Sequence, residues 1–261
     1  MEKVVVITGA AGSVGSAIAH KMLGEGWAAV LLDTVDTHEL AARLHAECAG
    51  TQVVGSETAG GEVLCLQVDL SDIESVRAAV AGALAWRGHV DSLVNSAGIQ
   101  LLTPLESMDP DEWDAVLAVN LRAPMLLSKG LASSWEESKA GGSIINIVSR
   151  TWATGGPPAY VSSKAALVGL TRSLSVSLGP VGVRVNAVAP SFMLTGFTRR
   201  GRTEEQTEAM VERQRSLSPL GRIATVQDVA NAVSFLASDD ASFITGEVLH
   251  VCGGTQLAAH A

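Results

Sequence analysis

The chain has 261 residues, of which 47% are apolar and only 17% are charged, and its formal net charge is −9. A charged share below the usual value of about 25% indicates that much surface is buried, within the fold or between subunits. An acidic chain without a block of Lys or Arg argues against nucleic acid or an anionic membrane as a partner.

Short apolar runs rich in Val, Ile and Leu recur along the chain, each followed by a longer stretch with helical spacing. Their continuous hydrophobicity predicts strands that are covered on both faces, as in a parallel sheet. The predicted strands are 3–8, 28–33, 62–69, 90–95, 142–149, 183–189 and 247–251. The predicted helices are 13–25, 38–49, 72–87, 111–135, 158–178 and 225–237. This alternation predicts an α/β fold, a single domain over residues 1–261 with a doubly wound parallel sheet of about seven strands and helices on both faces.

Two segments interrupt the alternation. Residues 50–61, GTQVVGSETAGG, are expected to form an exposed loop. Residues 190–222 form a long polar insertion before the last helix and contain RRGRTEEQTEAMVERQR. A long excursion at the carboxyl edge of a sheet is usually a lid or a flexible arm, so a substrate-binding lid is predicted here.

A glycine-rich loop, TGAAGSVG at 8–15, lies between the first predicted strand and the first predicted helix. Glycines allow backbone N–H groups to approach a pyrophosphate at a helix N-terminus. Asp33 ends the second strand, where a Rossmann-type fold places an acid on the adenosine ribose hydroxyls. Neither the glycine loop nor residues 34–37 contain a Lys or Arg for a 2′-phosphate, and Asp33 would repel one. NAD is therefore favoured over NADP.

Polar residues also end the third and fourth predicted strands. Asp69 ends the third, and NSAG at 95–98 ends the fourth. Open parallel sheets bind ligands at these carboxyl strand ends. Asp69 is also interpreted as a possible helix N-cap, a role that is compatible with cofactor binding.

Tyr160, the only tyrosine of the chain, lies four residues before Lys164 in YVSSK. The spacing i to i+4 places both side chains on one helix face. To act as a base near neutrality, the phenol must lose about 3 units from its free pKa of about 10. A nearby ammonium and the positive nicotinamide of an oxidised cofactor are expected to supply that shift. The pattern alone is common, but Ser149 ends the fifth strand on the same sheet edge as the glycine loop.

Neither disulfides nor a metal site are expected. Cys48, Cys65 and Cys252 are scattered without C-x-x-C spacing, and the six histidines form no H-x-x-x-H pair. The N-terminus, MEKVVVITG, has no apolar run long enough for a signal peptide or a membrane span. These features predict a cytoplasmic protein that is kept reduced.

The motifs together resemble the short-chain dehydrogenase/reductase family in its single-domain branch, over nearly all of the chain. The resemblance rests on these residues: TGAAGSVG (8–15), Asp33, VDLSD (68–72), NSAG (95–98), Asn120, Ser149, YVSSK (160–164), VRVNAVAP (183–190) and ITGEVLHVCGG (244–254).

The resemblance implies a role for each matching residue. Tyr160 would be the acid–base group, and Lys164 would depress its pKa and bind the nicotinamide ribose. Ser149 would orient the substrate oxygen, and Asn120 would hold a water that relays protons past Lys164. The implied cofactor contacts are Gly9, Gly12, Ser13, Val14, Gly15, Asp33, Asp69, Leu70, Asn95, Ala97, Gly98, Tyr160, Lys164, Pro190, Phe192, Met193 and Thr195. The resemblance also favours a homotetramer in which helices 158–178 and 225–237 form one interface.

The chain departs from the family pattern at four places. The glycine spacing TG-x-x-G-x-x-G is commoner in the extended branch, and Ser191 replaces the glycine usual after Pro190. Cys252 stands where an aspartate is common. The loop RTWATGGPP between Ser149 and Tyr160 is shorter than usual, and it borders the substrate site. A substrate identity therefore does not transfer from a relative.

The residues that flank the catalytic set predict an apolar substrate pocket. Candidate contacts are Ser149, Trp152, Tyr160 and Phe197, with Leu101, Leu102, Phe192 and Met193 nearby. Arg150 is the one charge among them and is expected to point away. Few convergent polar groups favour a neutral, cyclic or aryl alcohol over a sugar or hydroxy acid.

The sequence thus predicts an NAD-dependent oxidoreductase that interconverts a secondary alcohol and a ketone, with segment 196–215 closing over the site. The alternative within the family is a 3-oxoacyl-thioester reductase acting on an acyl carrier protein or CoA substrate. Asp33 weakens this alternative, because reductive synthesis usually uses NADPH. A non-catalytic, dinucleotide-sensing binding protein is the alternative from another class, and the full Asn-Ser-Tyr-Lys set argues against it.

Overall fold

The strands of the chain form one parallel sheet. The computed structural model describes residues 2–47, 53–54, 63–199 and 201–257. Its strands are β1 (Val4–Thr8), β2 (Ala28–Asp33), β3 (Val53–Val54), β4 (Val63–Gln67), β5 (Ser92–Asn95), β6 (Gly142–Ile147), β7 (Val183–Pro190) and β8 (Val248–Val251). They lie in the order β3-β4-β2-β1-β5-β6-β7-β8, and every described pair is parallel.

The strand order creates a crevice at the centre of the sheet. The chain runs outward from β1 through β2 to one edge, then returns to β5 and runs outward to β8. The carboxyl ends of β1 and β5 therefore lie side by side with their following segments diverging. Such a switch point is where open parallel sheets bind ligands. The glycine loop follows β1, and NSAG follows β5, so the structure brings both motifs to this point.

Helices cover both faces of the sheet. They are α1 (Ser13–Gly24), α2 (His38–Glu47), α3 (Ile73–Arg87), α4 (Pro110–Leu117), α5 (Ala123–Ser138), α6 (Thr151–Thr154), α7 (Pro158–Leu178), α8 (Gly196–Arg199), α9 (Glu204–Ser216) and α10 (Val226–Ala237). Successive strand residues point to opposite faces. In β1, Ile7 packs with residues of α1, α2 and α10, whereas Val6 packs with residues of α3 and α5. The predicted fold class is confirmed.

Four local features differ from the sequence-based expectations. The predicted helix 111–135 is two helices, α4 and α5, joined by one π-helical turn at Ala118–Arg122. Val53–Val54 pairs with β4 as a short edge strand inside the segment expected to be a loop, the rest of which lies outside the described residues. The polar insertion contains α9, and the shortened loop contains α6. Helix α9 has no buried residue, so it has no apolar face for a periodicity argument to detect.

The helical run Pro110–Ser138 is apolar because it belongs to the core. Among the described residues it is the one run that is long and apolar enough to cross a membrane by length and composition alone. Leu127, Leu131 and Trp135 of α5 are buried in the same cluster as α3. The Trp135 indole N–H donates to the Val90 carbonyl at 2.6 Å. These contacts place the buried apolar residues of α5 in the core.

The described cysteines are buried and unpaired. Cys65 lies in the first core cluster, and Cys252 follows β8. Cys48 lies outside the described residues. The described part of the chain contains no group of three or more His, Cys, Asp or Glu side chains that could hold a metal ion.

Candidate active site

The glycine loop depends on two positions where a side chain has no room. Gly9 has φ +64°, and a Cβ there would lie 2.8 Å from the Ala97 Cα. A Cβ at Gly15 would lie 2.2 Å from the Gly9 carbonyl oxygen. The loop is thus pressed against NSAG on one side and against the first turn of α1 on the other. This close packing leaves a backbone-lined cradle at the switch point.

The N-terminus of α1 forms one wall of this cradle. Its N-cap is Gly12, which has no side chain to accept hydrogen bonds from the first turn. Ser13 is exposed and Val14 is half-buried. The first N–H groups of a helix lack intrahelical acceptors, and the helix dipole favours an anion there. The cradle therefore fits the pyrophosphate of a dinucleotide.

Asp33 is held beside the glycine loop by backbone hydrogen bonds. Its Oδ2 accepts from the Ala11 N–H at 2.9 Å, and its Oδ1 accepts from the Val35 N–H at 3.3 Å. A carboxylate has about four acceptor positions, so these bonds leave acceptor capacity for ribose hydroxyls. The acid and the cradle together fit an adenosine dinucleotide.

Asp69 lies at the edge, but it does not cap a helix. Its Oδ1 accepts from the Ser71 N–H at 2.8 Å and from the Ser71 hydroxyl at 2.7 Å. These bonds lower the pKa of the Asp69 carboxyl. The N-cap of α3 is Asp72, whose side chain accepts from the Glu74 and Ser75 N–H groups. The interpretation of Asp69 as an N-cap is therefore wrong.

Two of the cofactor contacts expected from the sequence have side chains that face the interior. Leu70 is buried in the core cluster of α3 and α5. The buried Asn95 amide donates to Asn146 Oδ1 at 2.8 Å, and Asn146 in turn donates to Thr171 Oγ1 at 2.9 Å. This chain ties β5, β6 and α7 together. Only the backbone of Leu70 and Asn95 is placed to meet a ligand.

Ser149, Tyr160 and Lys164 lie together at the carboxyl end of β6. Tyr160 and Lys164 project from α7, and the Ser149 hydroxyl hydrogen-bonds to the Tyr160 hydroxyl. The Lys164 Nζ lies 5.8 Å from the centre of the Tyr160 ring and donates to the Ile147 carbonyl at 2.7 Å. Lys164 is only 3% exposed. The structure thus assembles the predicted group from two different elements.

Burial shifts both titratable groups of this cluster toward their neutral forms. It lowers the pKa of Lys164 to about 8. It also raises the pKa of Tyr160, and the Ser149 hydrogen bond acts in the opposite direction. The expected lowering of the phenol pKa by Lys164 together with an oxidised cofactor stays a prediction. Both shifts follow from the removal of these side chains from solvent.

Asn120 is fully buried in the π-helical turn between α4 and α5. Its Oδ1 accepts from the Ile99 N–H at 2.8 Å. Its Nδ2 donates to the Ile99 carbonyl at 2.9 Å and to the Ser163 hydroxyl at 3.0 Å. Both amide protons are used, so the side chain clamps the segment after β5 to α7. A water held at this position could bind the second lone pair of Oδ1 or the backbone.

The segment expected along the nicotinamide leaves the sheet at the same edge. Pro190 ends β7, and its carbonyl accepts from the Arg150 N–H at 3.0 Å. Met193 forms a backbone bridge to Ala224 and packs against the first core. The Thr195 N–H donates to Thr198 Oγ1 at 2.9 Å. Phe192 lies between these anchored residues.

Comparison with known proteins agrees with this arrangement. The sequence matches the model of the family described as "Enoyl-(Acyl carrier protein) reductase" over residues 9–256. It is 35% identical over 253 residues to the 3-oxoacyl-(acyl-carrier-protein) reductase FabG of Escherichia coli, covering 97% of this chain and 96% of that protein. The chain belongs to the short-chain dehydrogenase/reductase family.

Two further family members are similar over nearly their full length. The (2S)-((R)-hydroxy(phenyl)methyl)succinyl-CoA dehydrogenase subunit BbsD of Thauera aromatica is 34% identical over 258 residues, 98% of each chain. The structure of the 3-ketoacyl-(acyl-carrier-protein) reductase of Brucella melitensis complexed with NADH superposes with a TM-score of 0.82 at 31% identity. That match covers 97% of this chain and 98% of the other.

The residues expected on the substrate side separate into two groups. Phe197 of α8 packs near Tyr160, with ring centres 6.4 Å apart, and remains 43% exposed. Leu102, after NSAG, is also exposed. Trp152 instead packs against His250 of β8, with ring centres 6.1 Å apart, and belongs to a cluster with Val168. Phe197 therefore lies beside the Tyr160 phenol, whereas Trp152 of α6 packs against β8.

Helix α9 is connected directly to the catalytic edge. The Arg150 guanidinium donates to Gln214 Oε1 of α9 at 3.1 Å. A cavity of about 560 Å³ lies between α8 and α9, lined by Leu194, Arg199, Arg202, Glu204, Thr207, Glu208, Val211, Glu212 and Arg215. The cavity walls carry charges of both signs. Arg150 is directed toward the insertion.

Sequence reasoning missed two hydroxyl residues that contact the catalytic set. Ser163 accepts a hydrogen bond from Asn120 and donates to the Tyr160 carbonyl at 2.7 Å. Thr151 donates to Ser149 Oγ at 2.9 Å. Their positions, directly before Lys164 and two residues after Ser149, were the only signals in the sequence.

Proposed function

We propose that this protein is an NAD-dependent dehydrogenase that interconverts a secondary alcohol and a ketone. The proposal rests chiefly on the hydrogen-bonded Ser149 and Tyr160 hydroxyls beside the buried Lys164. This group lies at the sheet edge that also carries the glycine cradle and Asp33. Acid–base chemistry and dinucleotide binding then occur within one crevice.

The chain's own residues account for binding and proton transfer. When bound, NAD supplies the hydride acceptor for alcohol oxidation. Ser149 holds the substrate oxygen next to the Tyr160 hydroxyl. Tyr160 removes the alcohol proton in oxidation and returns it in reduction. Lys164, fixed by the Ile147 carbonyl, keeps a positive charge near the phenol and favours its ionised form.

Asp33 favours NAD over NADP. Its carboxylate is fixed against the glycine loop, where a 2′-phosphate would meet negative charge at close range. The similar reductase of Brucella melitensis is described with NADH, which supports this preference. The cofactor contacts of this chain are proposed to include the backbone around Pro190, Phe192, Met193 and Thr195.

The surroundings of Tyr160 favour an apolar, cyclic or aryl substrate. Phe197 presents a half-exposed ring beside the phenol, and Leu102 is exposed nearby along the same edge. Aromatic and aliphatic walls bind apolar ligands, and few polar groups are present to pair with a polyol. The name of BbsD contains a phenyl-bearing alcohol, in line with this proposal. Segment 190–222 is proposed to act as the lid.

A second candidate is a 3-oxoacyl-thioester reductase. FabG, at 35% identity over almost the whole chain, favours it, and the name of BbsD also contains a CoA thioester. The two candidates share the proton-transfer machinery and differ in substrate and cofactor. A non-catalytic dinucleotide sensor would bind NAD without turnover, so a turnover assay separates it from both.

We further propose a cytoplasmic homotetramer of two-fold symmetry. Helix α7 exposes small residues, among them Ala165, Ala166 and Gly169, and small residues permit close helix approach. Leu249 of edge strand β8 is 39% exposed, and Phe243 is fully exposed. Apolar surface of this kind is typical of protein interfaces. The buried face of α10, in contrast, packs against α1 of its own subunit.

Replacing Tyr160 with phenylalanine tests the acid–base role. The ring and its packing on Phe197 remain, so NAD binding followed by fluorescence should be unchanged. Turnover should fall about 100- to 10,000-fold, because a general acid–base group is lost. A variant that keeps more than about a tenth of the wild-type rate contradicts the role.

Replacing Asp33 with alanine tests cofactor choice. The ribose acceptor and the repulsion of a 2′-phosphate disappear together, so the preference for NAD over NADP should fall about tenfold or more in kcat/KM. Asp36→Ala is a matched control, because that exposed carboxylate accepts from the nearby His38 N–H instead. Equal wild-type efficiency with NAD and NADP would refute the argument.

A substrate panel tests the pocket. NADH formation should be more efficient with cyclic or aryl secondary alcohols than with polyols or 3-hydroxyacyl thioesters, because the walls near Tyr160 are apolar. The measured quantity is kcat/KM for each alcohol under the same conditions. A thioester that is better by about tenfold would favour the second candidate.

Light scattering tests the assembly. The expected molar mass at micromolar concentration is four times the chain mass of 26.9 kDa. Gly169→Glu should reduce the mass to that of a smaller species, because it places charge on the exposed face of α7, where a Cβ meets nothing within its own chain. A monomeric wild type would exclude the tetramer.

A further inference from the structure

Thr151 makes two hydrogen bonds to the catalytic serine. It is the first residue of α6, two residues after Ser149. Its hydroxyl donates to Ser149 Oγ at 2.9 Å, and its backbone N–H donates to the same oxygen at 3.3 Å. A serine hydroxyl has two acceptor lone pairs and one proton. With both lone pairs engaged by Thr151, the serine proton is left for donation, and the Tyr160 hydroxyl is the hydrogen-bonding neighbour of Ser149.

We propose that Thr151 is a positioning residue that makes Ser149 a hydrogen-bond donor toward the reacting oxygens. Without substrate, the acceptor is the Tyr160 oxygen. With substrate, it is the alcohol or ketone oxygen. The inference rests on the proposed function of Ser149 and Tyr160.

The direction of the serine proton has chemical consequences. A donor next to Tyr160 stabilises the phenolate, whereas an acceptor would stabilise the neutral phenol. A donor also polarises a ketone oxygen and stabilises the negative charge that develops on it. Burial of Tyr160 works against the phenolate, and the Ser149 hydrogen bond opposes that effect. Ser149 must therefore remain the hydrogen-bond donor both in alcohol oxidation and in ketone reduction.

The backbone around Thr151 holds it in place. The Thr151 carbonyl accepts from the Gly155 N–H at 2.9 Å, and the Ser149 carbonyl accepts from the Trp152 N–H at 3.1 Å. The Arg150 N–H is bound to the Pro190 carbonyl at 3.0 Å. The segment between Ser149 and Tyr160 is thus a tight helical turn.

Besides Lys164, several charged side chains lie on the elements around Tyr160. Lys164, on α7 itself, lies near the Tyr160 ring. Arg150 donates a hydrogen bond to Gln214. Arg184 of β7 donates to a carbonyl at the end of α10, and Arg122 donates to the Ser71 carbonyl. The remaining titratable side chains on the described neighbouring elements are Asp111, Glu112 and Asp114 of α4, Arg199 of α8 and His250 of β8. The hydrogen bond from Ser149 favours the phenolate in addition to the positive charge of Lys164.

The inference can be tested without cofactor, because Tyr160 is the only tyrosine. Ultraviolet titration of tyrosinate in the apoprotein then reports this residue alone, and circular dichroism marks the pH range in which the fold is intact. Thr151→Val preserves the side-chain shape and removes the hydroxyl donor. We expect the pKa of Tyr160 to rise by about half to one unit, since Ser149 can then rotate its proton away.

Three comparison variants isolate the contact. Thr151→Ser keeps a hydroxyl and should restore the wild-type pKa. Thr154→Val makes the same change on the same helix, where the hydroxyl donates to the Arg150 carbonyl at 3.4 Å, and should have no effect. In a Ser149→Ala background, Thr151→Val should cause no further shift, because its action passes through the serine.

Kinetics provide the second measurement. With NAD and the best alcohol of the panel, the rising limb of kcat/KM against pH should move to higher pH in Thr151→Val. The size of this move should equal the rise in the Tyr160 pKa, and the affinity for NAD should be unchanged. An unshifted Tyr160 pKa with an unshifted limb overturns the inference, and so does a shift that persists in the Ser149→Ala background. Full turnover by Tyr160→Phe would instead refute the proposed function, while the apoprotein titration would still decide the role of Thr151.

Discussion

A buried ammonium group is the constraint on which the active site depends. Lys164 is almost completely removed from solvent, and burial of an unpaired charge is costly. The Ile147 carbonyl accepts one of its hydrogen bonds. Space for the group exists because residue 98 is glycine, where a Cβ would lie 3.3 Å from Nζ. The end of β6, the segment after β5 and α7 must therefore come together at fixed distances.

The same constraint explains the buried polar side chains around the catalytic group. Asn120 clamps the backbone at Ile99 to Ser163 of α7, and Asn95 joins β5 to α7 through Asn146 and Thr171. Each of these contacts crosses between elements that are distant in the chain. Buried hydrogen bonds of this kind favour one arrangement, because a displaced partner would leave a buried group without its hydrogen bond. The family chemistry thus depends on interior residues as well as on those that line the crevice.

Local patterns in the sequence predicted those features that are defined by residues close together in the chain. The glycine loop, Asp33 and the Tyr160–Lys164 pair were found because each is a short motif next to a strongly apolar strand or a regular helix. Helix α9 was missed because it has no apolar face, although Thr203 and Gln206 form a capping box at its start. The π-helical turn at Asn120 was missed because one inserted residue barely changes helical periodicity.

The sequence by itself determined the parallel sheet, the family and the set of four catalytic candidates, because continuous apolar strands and motifs at strand ends are properties of local chain order. Only the tertiary structure decided where individual side chains point. In the structure, the side chains of Leu70 and Asn95 lie in the interior. Trp152 packs against His250, and Thr151 hydrogen-bonds to Ser149. The tertiary structure also buries the Tyr160 phenol, which raises its pKa in the protein without cofactor. Burial and hydrogen-bond direction depend on groups brought together from distant parts of the chain, and residue spacing carries no information about them.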